Sequence, residues 1–286
     1  MAMTQTEPKR GKPSIQVIER MMHLLDALSR QTTPASLKLL AGETGLHPST
    51  AHRILGVMVE SRLVERLEPG LYRLGIRLVQ LGSLVKSRLS VRQEALPHMQ
   101  ALHQALGETV NLSLRRGDEV VYIERASGAN TMMRVVQIIG ARAPLHITAV
   151  GKIFLAAATP AEVDAYIARS GLPRYTDRTL GDAGSLEREL ALIRARGYAC
   201  DHEEAERGVC CVGAGIYNDE HQLAAGLSVS APAERFSADW AEPVRRTAGL
   251  ISRALGHEPD DHNQGQRAGC SAHDRTAPMP PFEPAP

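Results

Sequence analysis

Aromatic residues are scarce in this 286-residue chain: one Trp, three Phe and six Tyr, 3% of the total. Its cores must therefore be built from aliphatic side chains, which the 43% hydrophobic fraction can supply. Cysteine is scarce as well. Cys200, Cys210, Cys211 and Cys270 do not form the spacing of a disulfide framework, and four reduced thiols are expected. No apolar run approaches the roughly 20 residues of a membrane span, so a membrane partner is not expected. The segment Met1 to Arg10 lacks the apolar stretch of a signal peptide, and the expected address is cytoplasmic. Net charge is also small, at +1, which excludes a uniformly basic chain.

The charge is unevenly placed. Residues 1–90 hold 13 Lys and Arg against 7 Asp and Glu, a balance of +6, and the remainder holds 20 against 25, a balance of −5. A basic first third followed by a mildly acidic body suits one domain that meets phosphates and one that does not. The length allows two cores.

Residues 36–75 carry the strongest pattern. A short helix, Ser36 to Leu46, is followed by a turn and a second helix, His47 to Glu60. A two-stranded wing from Leu63 to Leu74 follows, turning at Pro69-Gly70. In the second helix Ala51, Ile54, Leu55 and Met58 recur at i, i+3, i+4 and i+7 and should face the core. Ser49, Thr50, His52 and Arg53 fall off that stripe near the helix start. Hydroxyls there can bond phosphates, and an arginine can reach phosphate or the O6/N7 edge of guanine. Pro48 suits the first helical turn, where no amide donor is needed. In the wing, Tyr72 and Arg73 are expected to reach the DNA backbone or minor groove. The pattern is that of a winged helix-turn-helix, and double-stranded operator DNA is the expected partner.

Residues 1–13 are polar and are expected to be disordered. Ser14 is placed to cap a helix carrying Val17, Ile18, Met21, Leu24, Leu25 and Leu28, and Thr33-Pro34 ends it. The domain boundaries follow as 14–75 for the winged helix, 76–90 for a linker helix and 91–256 for a second domain. In that domain a helix runs from Val91 to Leu106. Strands follow at 109–114, 119–124 and 132–136, with a hairpin turn at Gly117-Asp118. Helices at 149–158, 160–170 and 185–196, strands at 198–203, 209–217 and 222–230, and a last helix at 238–255 complete an α+β fold. Residues 257–286 are rich in Pro, Gly, Asp, His and Gln, and are expected to be a disordered tail.

These residues carry a resemblance. The run Thr44-Gly-Leu-His-Pro-Ser-Thr-Ala-His-Arg-Ile-Leu55 resembles the recognition segment of IclR-type regulators, and Tyr72-Arg-Leu-Gly75 resembles their wing. Pro144-Leu-His-Ile-Thr-Ala-Val-Gly-Lys152 is similar to that family's P-L-H-x-[ST]-A-x-G-K motif. Arg196-Gly-Tyr198, Asp201, Glu203-Glu204, Gly208 and Cys211 follow its R-G-Y…D…E-E…G…C pattern. The family often has Lys where this chain has Pro48. The resemblance implies a winged helix joined by a linker helix to a GAF-like effector domain, in homodimers or dimers of dimers. It also implies a response to a small organic acid or aromatic metabolite, as repressor or activator, with no enzyme activity. Its pocket positions fall here on the backbone of Ala149 and Val150, on Asp201 and Cys211, and on Ser228 and Ser230.

The residues support part of this directly. Thr148 to Gly151 opens a helix whose free amides can hold a carboxylate. Ser228 and Ser230 stand two apart on a strand and so share a face. Asp201 would repel a carboxylate but could accept from a ligand hydroxyl. Met132, Met133 and Leu145 are expected to set the size of the pocket. No cofactor is called for, and no metal. Two alternatives remain open: a metal- or thiol-responsive sensor using Cys200, His202, Cys210, Cys211 and His221, and a thiol enzyme with Cys211 as nucleophile.

Overall fold

The structure is a computed structural model that describes residues 16–68, 70–86, 88–128 and 139–258. The expected leader 1–13, the Ser14 cap, Pro69 of the wing turn, the strand at 132–136 with Met132 and Met133, and the tail beyond 258 lie outside these. The chain divides into two compact units, 1–88 and 89–286.

The first unit contains α1 (Gln16–Ser29), β1 (Ala35–Ser36), α2 (Leu37–Thr44), α3 (Pro48–Glu60), β2 (Val64–Leu67), β3 (Leu71–Leu74) and α4 (Ile76–Lys86). α3 forms where the stripe of Ala51, Ile54, Leu55 and Met58 is buried against Leu24, Leu28, Leu40 and Val64. His47 caps it rather than joining it: its Nδ1 accepts from the Ser49 amide, and Pro48 fills the first helical position. Ser36 caps α2 in the same way. β1, only two residues long, was not expected from the sequence. It pairs with β3 and makes the wing a three-stranded sheet. α4 buries none of its residues among those described.

The second unit begins with α5 (Val91–Leu106), β4 (Thr109–Arg116) and β5 (Glu119–Ala126). After β6 (Arg142–Pro144) and a 3-10 turn (Leu145–Ile147) come α6 (Ala149–Ala157), α7 (Pro160–Ser170) and α8 (Ala183–Arg196). β7 (Ala199–His202), β8 (Val209–Tyr217), β9 (Leu223–Pro232) and α9 (Ala241–Ala254) complete it. The six strands form one antiparallel sheet in the order β6-β5-β4-β9-β8-β7. Helices cover both faces. Val110, Leu112, Val229 and Val212 meet α5 and α9 on one side. Leu145, Ile153, Leu190 and Cys211 join the other core, with α6, α7 and α8. This is the α+β class read from the sequence. The expected last helix at 238–255 is instead a 3-10 turn (Ala238–Trp240) leading into α9. β6 and the 3-10 turn before α6 are too short for periodicity to reveal.

α6 is nearly all buried because its residues, Lys152 apart, are apolar or small all round. It lies close to its neighbours because two glycines allow it. A Cβ on Gly226 would stand 2.1 Å from Cγ1 of Val150, and a Cβ on Gly151 would stand 2.1 Å from the Leu145 carbonyl oxygen. At Gly151 the obstacle is backbone, which no rotamer change can relieve. Gly151→Ala is therefore expected to destabilise the protein by about 3 kcal/mol, the upper range of overpacking costs, in urea denaturation. A wild-type midpoint in a folded variant would contradict this close approach.

Candidate functional site

The candidate DNA-reading surface is built on α3. The buried stripe leaves Ser49, His52 and Arg53 exposed and Thr50 half-buried at the start of the helix. Ser49 Oγ lies 2.8 Å from His47 Nδ1, so the cap also orients that hydroxyl. Arg53 carries no ion-pair partner among the described residues. The wing departs from expectation. Tyr72 is 3% exposed and belongs to the core beside Leu24, Leu40 and Val64. Strand alternation turns it inward and its neighbour Arg73 outward, so Tyr72 is not available to DNA. Arg73 is exposed but lies opposite Glu65 in the ladder and donates its Nε to that carboxylate at 2.8 Å.

In the second unit a cavity of about 410 Å³ opens at the start of α6. Strand register assembles one wall. Asp201 on β7 faces Cys211 on β8, Gly213 faces Ser228 on β9, and Ser228 faces Asn111 on β4. Paired residues share a face, so these side chains stand together beneath α6. Asp201, Cys211 and Ser228 line the cavity, with Ala149 and Val150 across from them. Thr148 caps α6 by accepting from the Gly151 amide at 3.0 Å. The helix offers no acceptor to the Ala149 and Val150 amides, which point their partial positive charge outward.

Ser230 behaves differently from its expected role. It is buried but does not line the cavity. Its hydroxyl accepts from Asn111 Nδ2 at 3.2 Å and from the Cys211 thiol at 3.2 Å. Ser228 and Ser230 share a face, yet only Ser228 lines the cavity. Sequence reasoning also missed Tyr122, Tyr175, Arg142, Glu119 and Glu206, all of which line the cavity. Tyr122 and Ser228 have no side-chain hydrogen-bond partner among the described residues. Burial pushes the Tyr122 phenol up, so it remains a neutral donor. Arg142 is already paired with Glu119 at 3.0 Å.

Beneath the cavity lies a buried ion pair. Lys152, one turn into α6, is 1% exposed and its Nζ stands 2.5 Å from Glu204 Oε1. Glu189 lies 4.0 Å from the same ammonium and is held at 2.6 Å by Arg196. The Glu204 amide in turn donates to Asp201 Oδ1 at 2.7 Å. Asp201 is 2% exposed. Burial first, and then the neighbouring Glu204 carboxylate, push its pKa up to about 7. Near neutrality this carboxyl is half protonated, which weakens the repulsion expected of it.

The thiol readings do not survive this geometry. Burial first, and then the Asp201 carboxyl facing it, raise the Cys211 thiol well above its ordinary range, and it donates to Ser230 at 3.2 Å. A nucleophile needs the thiolate. Alternation also places Cys211 and its neighbour Cys210 on opposite faces of β8, and Cys200 joins the other core. Among the described residues no three His, Cys, Asp or Glu side chains are grouped to hold a metal. No described helix is long and apolar enough to cross a membrane.

Two family models match the chain. The IclR helix-turn-helix domain covers residues 17–68, and the bacterial transcriptional regulator IclR C-terminal domain covers residues 84–253. The HTH-type transcriptional regulator XynR of Escherichia coli strain K12 is 34% identical over 86% of this chain and 99% of its own length. Among solved structures, the Agobacterium tumefaciens repressor BlcR is 31% identical, with a TM-score of 0.72 over 85% of this chain and 98% of that one. An IclR homologue from Microbacterium hydrocarbonoxydans, crystallised with 4-hydroxybenzoate, is 28% identical with a TM-score of 0.55, over 84% of this chain and 98% of that one. The chain, with its helix-turn-helix and its α+β C-terminal domain, therefore belongs to the IclR family of DNA-binding transcriptional regulators.

Proposed function

We propose that this regulator binds a small carboxylate-bearing metabolite in the α6 cavity and that the bound acid alters its affinity for operator DNA. One observation carries the reading: residues bearing hydrogen-bond donors line the cavity. The donors are the amides of Ala149 and Val150, the Ser228 hydroxyl and the Tyr122 phenol. Apolar surface from Ile147, Val150 and Val209 offers a seat for the rest of the molecule. A cavity this size accommodates an aliphatic or an aromatic acid. The complex of the Microbacterium homologue with 4-hydroxybenzoate favours an organic acid in a protein of this kind.

On the DNA side, Arg53 with Ser49, Thr50 and His52 forms the reading surface, and Arg73 stands at the wing. Replacing Arg53 by Ala is expected to weaken operator binding by about 1–3 kcal/mol in gel shift if the guanidinium grips a base bidentately. Binding should also fall steeply with added salt. Unchanged affinity in the folded variant removes Arg53 from the interface.

A single winged helix covers a short site, and two related by a two-fold axis read a palindrome. Val17, Ile18 and Met22 on α1 and Ile76, Val79, Leu81, Leu84 and Val85 on α4 are exposed apolar residues. Together they support a dimer through these helices. Sedimentation at micromolar concentration is expected to give a dimer or larger assembly, and Leu81→Asp to shift it toward monomer. A monomeric wild type excludes this interface.

For the effector, Ser228→Ala is expected to weaken an activating acid by about tenfold, the value of one hydrogen bond to a charged group. Calorimetry with an acid that also shifts operator affinity makes the measurement. Equal binding by wild type and variant would put the site elsewhere.

A further inference from the structure

We propose that the effector's carboxylate is captured together with a proton, which Asp201 holds and donates to it, so that the regulator responds to acidity as well as to effector concentration. This rests on the carboxylate reading above and adds to it the protonation state in which the site binds.

Asp201 lines the cavity and is buried on the same sheet face as Ser228. Its carboxyl accepts from two backbone amides: Glu204 donates to Oδ1 at 2.7 Å, and Ala205 donates beside it. Among the described residues, the charged and titratable groups around it come from each element packed against it, with the Tyr175 phenol in the same cavity lining. From β8, Cys211 faces it as a neutral thiol that hydrogen-bonds both Ser230 and the Asp201 carboxyl. Cys210 lies beside it on β8, where burial pushes its pKa up to about 11. On β7 itself, burial lowers the His202 pKa, so its ring is neutral. From β5 comes the neutral Tyr122 phenol, and Glu119 is neutralised by Arg142 of β6 at 3.0 Å. The loop after β7 contributes Glu203, Glu204 and Glu206. Glu203 is paired with Arg178 at 3.2 Å. From α6 comes Lys152, with Glu189 of α8 behind it.

Lys152 is thus the buried cation nearest to two buried carboxyls, and it is bonded to Glu204 at 2.5 Å. Asp201 is left with burial and a like-charged neighbour, which is why its proton is held up to about pH 7. An effector carboxylate placed on the Ala149 and Val150 amides adds another negative charge to the same cavity. Two ionised carboxylates cannot share it without repulsion. The alternative is that Asp201 keeps or takes a proton from solvent and turns from repeller into donor. A carboxylic acid donating to a carboxylate forms a short, charge-assisted hydrogen bond.

The sign follows from linkage. Below about pH 7 the empty site already carries the proton, and affinity should be level until the effector's own carboxyl protonates near its ordinary value of about 4. Above about pH 7 the proton must be drawn from solution on binding, and affinity should fall by up to about tenfold per pH unit.

The experiment is calorimetry on the full-length protein, with propionate and 4-hydroxybenzoate as probes. It is run at pH 6, 7 and 8 in pairs of buffers that differ in ionisation enthalpy. The expected result at pH 8 is a buffer-dependent heat corresponding to uptake of nearly one proton per site, vanishing toward pH 6. Asp201→Asn should bind the same acid with no pH slope. Equal heats in all buffers with a flat affinity across this range would overturn the proposal and leave the carboxylate site standing. A slope that persists in a folded Asp201→Asn variant would also overturn it, by assigning the proton to another group. If neither probe binds and no acid in a wider monocarboxylate panel shifts the melting temperature, the carboxylate reading falls and this proposal falls with it. Should Asp201→Asn fail to fold, Asp201→Ala takes its place in the same buffer series, with the same loss of slope expected and a persisting slope again overturning the proposal.

Discussion

Lys152 is an ammonium with almost no access to water, bonded to Glu204 across 52 residues of sequence. Taking two charges out of water costs several kcal/mol each, and the pair's attraction roughly repays this without a large surplus. Its contribution is position. Lys152 belongs to the first turn and a half of α6, the helix whose open amides face the cavity. Glu204 belongs to the loop that carries Ala205 and Glu206, two residues of the cavity lining. The same Glu204 lends its amide to Asp201. Thr176 and Thr179 hold the loop from the other side, donating to the Glu203 and Glu204 carbonyls at 2.7 Å each. One ion pair thereby fixes helix, loop and acid with respect to one another.

Around that pair the sheet supplies a floor of alternating character. Residues on one face of β4, β8 and β9 build an aliphatic core with α5 and α9. Their neighbours on the opposite face are small or polar: Asn111, Ser228, Ser230, Gly213 and Cys211. Small residues let α6 approach closely, and polar ones accept and donate within the space that remains. Ser230, away from the cavity, has its hydroxyl satisfied by Asn111 and Cys211, whereas Ser228 is left in the cavity wall. The same division explains why two serines of identical spacing have different roles.

Much of this could be read from the chain before any coordinates. The stripe of Ala51, Ile54, Leu55 and Met58 placed α3 and its exposed face, because helical periodicity is a local property. The start of α6 was legible from Thr148 and the apolar run after it. Tyr72 was misplaced because alternation tells that two neighbours point apart but not which one points inward. That was decided by the pairing of β3 with β2 and with the unforeseen β1. Ser230 was misplaced because its partners, Asn111 and Cys211, are 119 and 19 residues away. Tyr122, Tyr175 and Arg142 were missed for the same reason: nothing near them in sequence marks them as cavity residues. The protonation of Asp201 was out of reach, since it depends on burial and on Glu204 rather than on residue type.

The central claim is that the amides opening α6 receive an acid and that this event is the one felt at the operator. Coupling requires the acid to prefer one state of the protein by a free energy typically of ~1–3 kcal/mol. Amide NMR on the isotopically labelled protein tests it most directly. During titration with an acid that changes operator affinity, the account predicts downfield shifts of the Ala149 and Val150 amide protons. Their saturation curve should match that of the change in DNA binding. Silent Ala149 and Val150 signals in the presence of a saturating, DNA-active acid would contradict it.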